Sequence, residues 1–228
     1  MKMKRKVITA LLAATMVASL AVGCGNKGGD SKSDSSKSSS SDEITIGFSQ
    51  VGAESDWRTA NSESMKSTFS EKNGYKLIFD DAQQKQENQI TAIRNFIQQD
   101  VDYIVLAPVT ETGWDTVLKE AKDADIPVII VDRMIDVSDD SLYTAWVGSN
   151  FKMEGQKACE WLNAYAEAKG MKEVNIAHIQ GTIGASAQIG RTEGLEEAAK
   201  EYGWNIVAQQ TGEFTQAKGQ EVMESMLK

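Results

Sequence analysis

Residues 103–133 read YIVLAPVTETGWDTVLKEAKDADIPVIIVDR. Tyr103–Leu106 is a short apolar run that stops at Pro108. A helix-forming stretch follows from Thr112 to Ala124, and Pro127 then opens Val128-Ile129-Ile130-Val131, which has no polar position. Short apolar runs of this kind, bounded by turn residues and separated by a helix, are the signature of parallel strands buried on both faces. The segment therefore predicts a strand–helix–strand unit, and the right-handed crossover of such units places ligands at the carboxyl ends of the strands.

The same alternation extends in both directions. Upstream, Ile44–Phe48 predicts a first strand, and Ser55 or Asp56 caps a helix from about Trp57 to Lys72 that Asn73-Gly74 stops. Tyr75–Phe79 predicts strand two. Ile90, Ile93, Phe96 and Ile97 share one face of a helix over Glu87–Gln99. Downstream, Leu142–Val147 predicts strand five, and a helix runs from about Asn150 to Lys169. Val174–Ile179, a helix near Arg191–Tyr202, Trp204–Ala208 and a helix from Thr215 repeat the theme. The expectation is a doubly wound α/β fold: one array up to about Ser149 and two strands of a second. Two strands make a poor independent domain, so the second array is expected to be truncated.

Ahead of the first strand the composition changes. Lys2, Lys4, Arg5 and Lys6 precede the apolar run Val7–Val22, which is too short for a comfortable membrane span and ends at Gly23-Cys24. This resembles a lipoprotein signal, with residues 1–23 removed and Cys24 lipid-modified; Ala21 departs from the commonest pattern. Residues 24–42 then form a tether, in which eight of residues 30–41 are Ser. Such an anchor places the domain outside the cytoplasmic membrane, and a Ser-rich tether suggests a Gram-positive envelope.

The 228 residues carry 33 Asp+Glu against 24 Lys+Arg, a formal charge of −9. That balance excludes the basic footprint of a nucleic-acid binder. One His and two Cys leave little for a metal or haem site, and no metal or cofactor is expected. His178 lies in an apolar strand and reads as core. No base lies within sequence reach of Ser186, so a hydrolase triad is not supported. Asp80-Asp81 and Asp139-Asp140 read as solvated turn acids, Cys159 as buried and inert, and Met223, Met226 and Leu227 as core.

Three strand-end loops carry candidate chemistry. The first, Ser49–Arg58, brings Glu54, Trp57 and Arg58 together. An aromatic ring beside a guanidinium and carboxylates suits a sugar, whose C–H faces pack on rings and whose hydroxyls both donate and accept. The alternative is that Trp57 packs its helix on the sheet while Arg58 is a surface charge. The second is Asp132-Arg133, which suits charge-assisted bonds to neighbouring hydroxyls and equally a local ion pair. The third is Gln180–Ser186 followed by Arg191; its two glycines permit close backbone approach, but the spacing is neither a dinucleotide nor an ATP fingerprint. Arg191 faces either the cleft or solvent.

Gly47–Gly52 with Glu54 and Trp57-Arg58, the run Gln83–Ile90, Ala107-Pro108-Val109 with Thr112-Gly113-Trp114, Asp132-Arg133 and Gln180-Gly181-Thr182 together resemble one family. It is the type I periplasmic sugar-binding proteins of ABC transporters, of the ribose-binding kind, and within it the galactofuranose-binding branch. The resemblance covers Ile44 to Lys228. It implies two Rossmann-like lobes, here 43–148 and a partial 149–228, joined by a hinge first crossed at Ser149-Asn150. It also implies that Glu54, Trp57, Arg58, Asp132, Arg133 and Arg191 hold a monosaccharide, and that further second-lobe ligands lie beyond Lys228. The expected protein is a monomer that makes or breaks no bond and passes its sugar to a membrane permease. A sensor that presents the sugar to a chemoreceptor or kinase would use the same pocket. A transcription regulator of this fold would need a DNA-binding helix pair where this chain has a signal-like segment.

Overall fold

The computed structural model describes residues 43–228. Cys24, the signal-like segment and the Ser-rich stretch lie outside them. The element that organises the chain is β1 (Ile44–Gln50). It pairs in parallel with β2 (Tyr75–Asp81) on one side and β3 (Tyr103–Leu106) on the other. β4 (Val128–Asp132) and β5 (Ala145–Gly148) extend the sheet, giving the order β2-β1-β3-β4-β5 with every pair parallel. The connections are α1 (Asp56–Thr68), α2 (Gln86–Gln98) and α3 (Asp115–Asp123).

Alternate residues of β3 show why the apolar runs form strands. Ile104 and Leu106 enter a core with Phe96, Trp114, Leu118 and Ile130. Val105 enters a separate core on the opposite face with Ile46, Phe48 and Val109. Both faces are covered, so neither tolerates a polar position. α2 lies close over β1: a Cβ at Gly47 would meet the Phe96 ring at 2.4 Å.

The second sheet contains β6 (Asn175–Gln180) and β7 (Asn205–Thr211), again parallel. Around it lie α4 (Phe151–Ala168), α5 (Ser186–Tyr202) and α6 (Gln216–Met226). α4 and α5 cross at glycines. A Cβ at Gly155 would meet the Arg191 carbonyl oxygen at 2.7 Å, and one at Gly194 the Lys152 carbonyl oxygen at 2.7 Å.

Several boundaries differ from expectation. Ser55 caps α1, its Oγ accepting from the Arg58 amide, and α1 stops at Thr68, leaving Glu71–Asn73 as a 3-10 turn before Gly74. α3 starts at Asp115 because Gly113 takes φ 92° and buried Trp114 donates to the Thr110 carbonyl. Leu142 closes a 3-10 turn ahead of β5. α5 begins five residues before Arg191.

Three side chains expected in the core are not there. His178 is half-buried on β6 and bonds to Gln209 of β7 at 3.1 Å; one face of this two-stranded sheet is only partly covered. Met223 and Leu227 are exposed, and α6 buries Val222 alone. Asp80, expected to be a solvated acid, is half-buried at the end of β2, where burial and then the neighbouring Asp81 carboxylate raise its pKa.

Candidate functional site

In the order β2-β1-β3-β4-β5 the chain direction of winding reverses between β1 and β3, and the loops on either side of that point diverge. This is where open α/β sheets place a ligand crevice. Glu54, Trp57 and Arg58 follow β1, and Asp132-Arg133 closes β4. The structure brings all five together, although Arg58 and Asp132 lie 74 positions apart in sequence.

Arg58 is the hub. It is 2% exposed. Its Nε donates to Glu54 Oε1 at 3.0 Å and its Nη2 to Asp132 Oδ2 at 2.7 Å. The first contact is an i,i+4 pair across the start of α1; the second joins two strand ends. Arg58 is therefore no surface charge. Nor does Trp57 pack its helix on the sheet: it is 58% exposed, with its ring 4.9 Å from the Arg58 guanidinium carbon.

Arg133 is buried beside this pair. It donates to the Val109 carbonyl at 3.2 Å and to Glu54 Oε1 at 3.5 Å. Burial, and then the nearby Arg58 charge, lower its pKa to about 10, while Glu54 and Asp132 pull the other way. The Val109 carbonyl is itself held from behind. Fully buried Gln89 accepts from the Val109 amide at 2.9 Å and donates to the Ala107 carbonyl at 2.7 Å.

Asp132 adopts φ 63°, the left-handed region that side-chain-bearing residues rarely enter. Such strain persists where the surroundings over-determine it, and it clusters at binding sites. Here the Trp146 indole donates to the Asp132 carbonyl at 3.2 Å, and Gly148 leaves room that a Cβ would fill at 2.1 Å from the same oxygen.

The second sheet supplies the opposite wall. Arg191 on α5 bonds through Nε and Nη2 to Glu154 Oε2 of α4, at 3.0 and 2.9 Å, and lies over the Phe151 ring. Phe214, in the loop after β7, places its ring under the Arg133 guanidinium at 4.8 Å. A Cβ at Gly181 would meet that ring at 1.9 Å, so glycine there is what admits it. All six expected residues line one cavity of about 290 Å³, together with Phe151, Glu154 and Phe214.

Phe214 was within reach of the same strand-end rule, applied after β7. Glu154 carries no sequence signal, because its partner is 37 residues away.

The arrangement has two chemical consequences. Three guanidiniums (Arg58, Arg133, Arg191) face three carboxylates (Glu54, Asp132, Glu154), so the cavity has no formal charge excess to draw an ion. Glu54 Oε2 and Arg58 Nη1, both buried, lack a hydrogen-bond partner among the described residues. One acceptor and one donor are thus left unpaired within the charged cluster, closed to solvent in this arrangement. Among those residues no group of three His, Cys, Asp or Glu side chains is placed to hold a metal, and no helix is long and apolar enough to cross a membrane.

Residues 46–228 match the family model of the periplasmic binding protein domain. The chain belongs to the periplasmic binding protein family. Among its relatives, the galactofuranose-binding protein YtfQ of Escherichia coli (strain K12) is 50% identical over 81% of this chain and 57% of the relative. A solved galactofuranose binding protein superimposes with TM-score 0.77 at 49% identity, covering 81% of this chain and 61% of that one. The periplasmic binding component of the arabinose ABC transporter from Shewanella sp. ANA-3, bound to α- and β-L-arabinofuranose, gives TM-score 0.75 at 53% identity, covering 81% and 60%. Periplasmic binding proteins of the ribose-binding type share the parallel-sheet architecture described above. This chain spans about three fifths of the length of these relatives.

Proposed function

We propose that the cleft binds a neutral monosaccharide in its five-membered-ring form, and that the protein captures this sugar outside the cytoplasmic membrane for an ABC transporter permease. The observation that carries the reading is the buried Arg58–Glu54–Asp132 cluster beside exposed Trp57. It offers charge-assisted partners to neighbouring hydroxyls and an aromatic face to the C–H side of the ring. A cavity of about 290 Å³ lies at the small end of ligand sites, which suits one sugar unit. The relatives named for galactofuranose and arabinofuranose support the ring form.

In this reading Glu54, Asp132 and Arg58 hold hydroxyls from the side of the five-stranded sheet. Arg133 fixes the ring between them and Phe214. Arg191 closes from α5. Residues 43–148 and the segment from 149 act as two lobes that rotate about the crossing at Ser149-Asn150. The sugar stabilises the closed arrangement because only there do both walls reach it. Binding and release are the whole chemistry, and the protein acts as a monomer without cofactor. Cys24 carries a lipid anchor and residues 24–42 are the tether, which suits a Gram-positive envelope.

The test is a thermal-shift screen of the full-length protein against furanose-forming and pyranose-locked sugars. A ligand at 100 times its Kd adds about 2.7 kcal/mol, or about 5–11 °C for a domain of this size. No shift with any sugar would remove the reading.

A further inference from the structure

The loop after β6 touches the five-stranded side of the cleft through groups outside the charged cluster. Ser186, the first residue of α5, is 7% exposed, and its Oγ accepts from the Met134 amide at 2.8 Å. Ala185 occupies the N-cap position and makes no side-chain cap bond. The Ser186 hydroxyl therefore faces away from its own helix and reaches across the cleft. Two residues earlier, the Gly184 carbonyl accepts from the Glu111 amide at 2.8 Å. Gly184 takes φ 85°, which a side chain would strain. The Glu111 carbonyl accepts in turn from the Asp136 amide at 2.7 Å. Polar ties thus join the loops after β3, β4 and β6.

These ties connect the elements that carry the arginines. Met134 directly follows Asp132-Arg133, where the backbone is already held at a positive φ. Ser186 stands five residues before Arg191 on the same helix. Ser186 does not itself line the main cavity.

We propose that Ser186 is a positioning residue: its hydroxyl, bonded to the Met134 amide, holds the strand end bearing Asp132-Arg133 in register with the helix bearing Arg191, and so favours the closed cleft without touching the sugar. The proposal rests on the sugar-binding reading above. Apparent affinity scales with the fraction of molecules in the binding-competent arrangement. Losing one buried tie of this kind lowers that fraction, and the affinity, by about five- to tenfold.

The test compares Ser186→Ala and Ser186→Thr with the wild type in the full-length protein, using L-arabinose and D-galactose as probes. Ser186→Ala is expected to bind the sugar about five- to tenfold more weakly through faster dissociation. Its melting temperature without sugar should be unchanged, and Ser186→Thr, which keeps the acceptor, should restore affinity. Wild-type affinity in Ser186→Ala overturns the proposal. So does an affinity loss matched by an equal loss of sugar-free stability, which marks a merely structural role. If the wild type binds neither sugar, the sugar reading itself fails. In the sugar-bound protein the Met134 amide reads the tie directly: slow hydrogen exchange in the wild type that becomes faster in Ser186→Ala supports it, and fast exchange in the sugar-bound wild type overturns it.

Discussion

Arg58→Ala should cost stability before it costs anything else. The side chain is 2% exposed, and it pairs with two carboxylates that are themselves 3% and 14% exposed. Truncation leaves Glu54 and Asp132 facing each other in a buried setting with only Arg133, 3.5 Å from Glu54, as a counter-charge. Removing one partner of a buried ion pair costs about 3–5 kcal/mol, because the remaining charge stays desolvated. That is a large share of the stability of an ordinary domain, about 5–15 kcal/mol. For a chain of this size the melting temperature should fall by about 6–20 °C. Differential scanning calorimetry without sugar reads this directly. A double-mutant cycle with Asp132→Ala isolates the pair: the two losses should overlap, with the double variant less destabilised than their sum. Sugar-free melting of Arg58→Ala within 2 °C of the wild type, or strictly additive losses, would refute the view that a buried charge network supports the site.

The neighbouring Trp57→Ala supplies the contrast: its exposed ring carries no core, so stability should stay within about 0.5 kcal/mol, while loss of the aromatic platform weakens sugar affinity by up to about tenfold. Gly155→Ala places a Cβ 2.7 Å from the Arg191 carbonyl, which should cost about 1–3 kcal/mol and weaken sugar binding together with melting, as two titrations will show. Glu111 holds its proton to higher pH than an ordinary carboxyl, through burial first and then Asp136 and Glu193. The folded state then binds more protons than the unfolded state over that interval, and stability falls as pH rises through it. Glu111→Gln should therefore melt higher than the wild type at pH 7, and the gain should vanish once the pH drops below the carboxylate range. The Cys159 thiol, whose pKa is raised by burial, should resist thiol reagents at pH 7 until the protein unfolds.

The strand–helix–strand unit at 103–133 was legible because its strands are covered on both faces, which leaves an unbroken apolar pattern. The second sheet was harder to read. β6 also looks apolar in sequence, but one side of the pair is only partly covered, so His178 is half-buried where a fully covered sheet would have buried it, and Met223 on α6 stays exposed. The site residues were legible as types at strand ends, and their pairing was not. Arg58 and Asp132 meet only because β1 and β4 end on the same edge of one sheet. The left-handed turns are equally silent in sequence. Gln83-Gln84 after β2 and Glu213-Phe214 after β7 take positive φ values without glycine, and the second turn is what delivers the Phe214 ring to Arg133.

In the proposed reading the cleft holds one neutral sugar through Asp132 and its arginines. Isothermal titration of the full-length protein with L-arabinose and D-galactose, against methyl pyranosides fixed in the six-membered ring, tests it most directly. Saturable one-to-one binding by a furanose-forming sugar is expected, with none by the pyranosides and none in Asp132→Ala or Arg133→Ala. The absence of any heat from furanose-forming sugars, or undiminished binding in Asp132→Ala, would overturn the assignment of this cleft to a sugar.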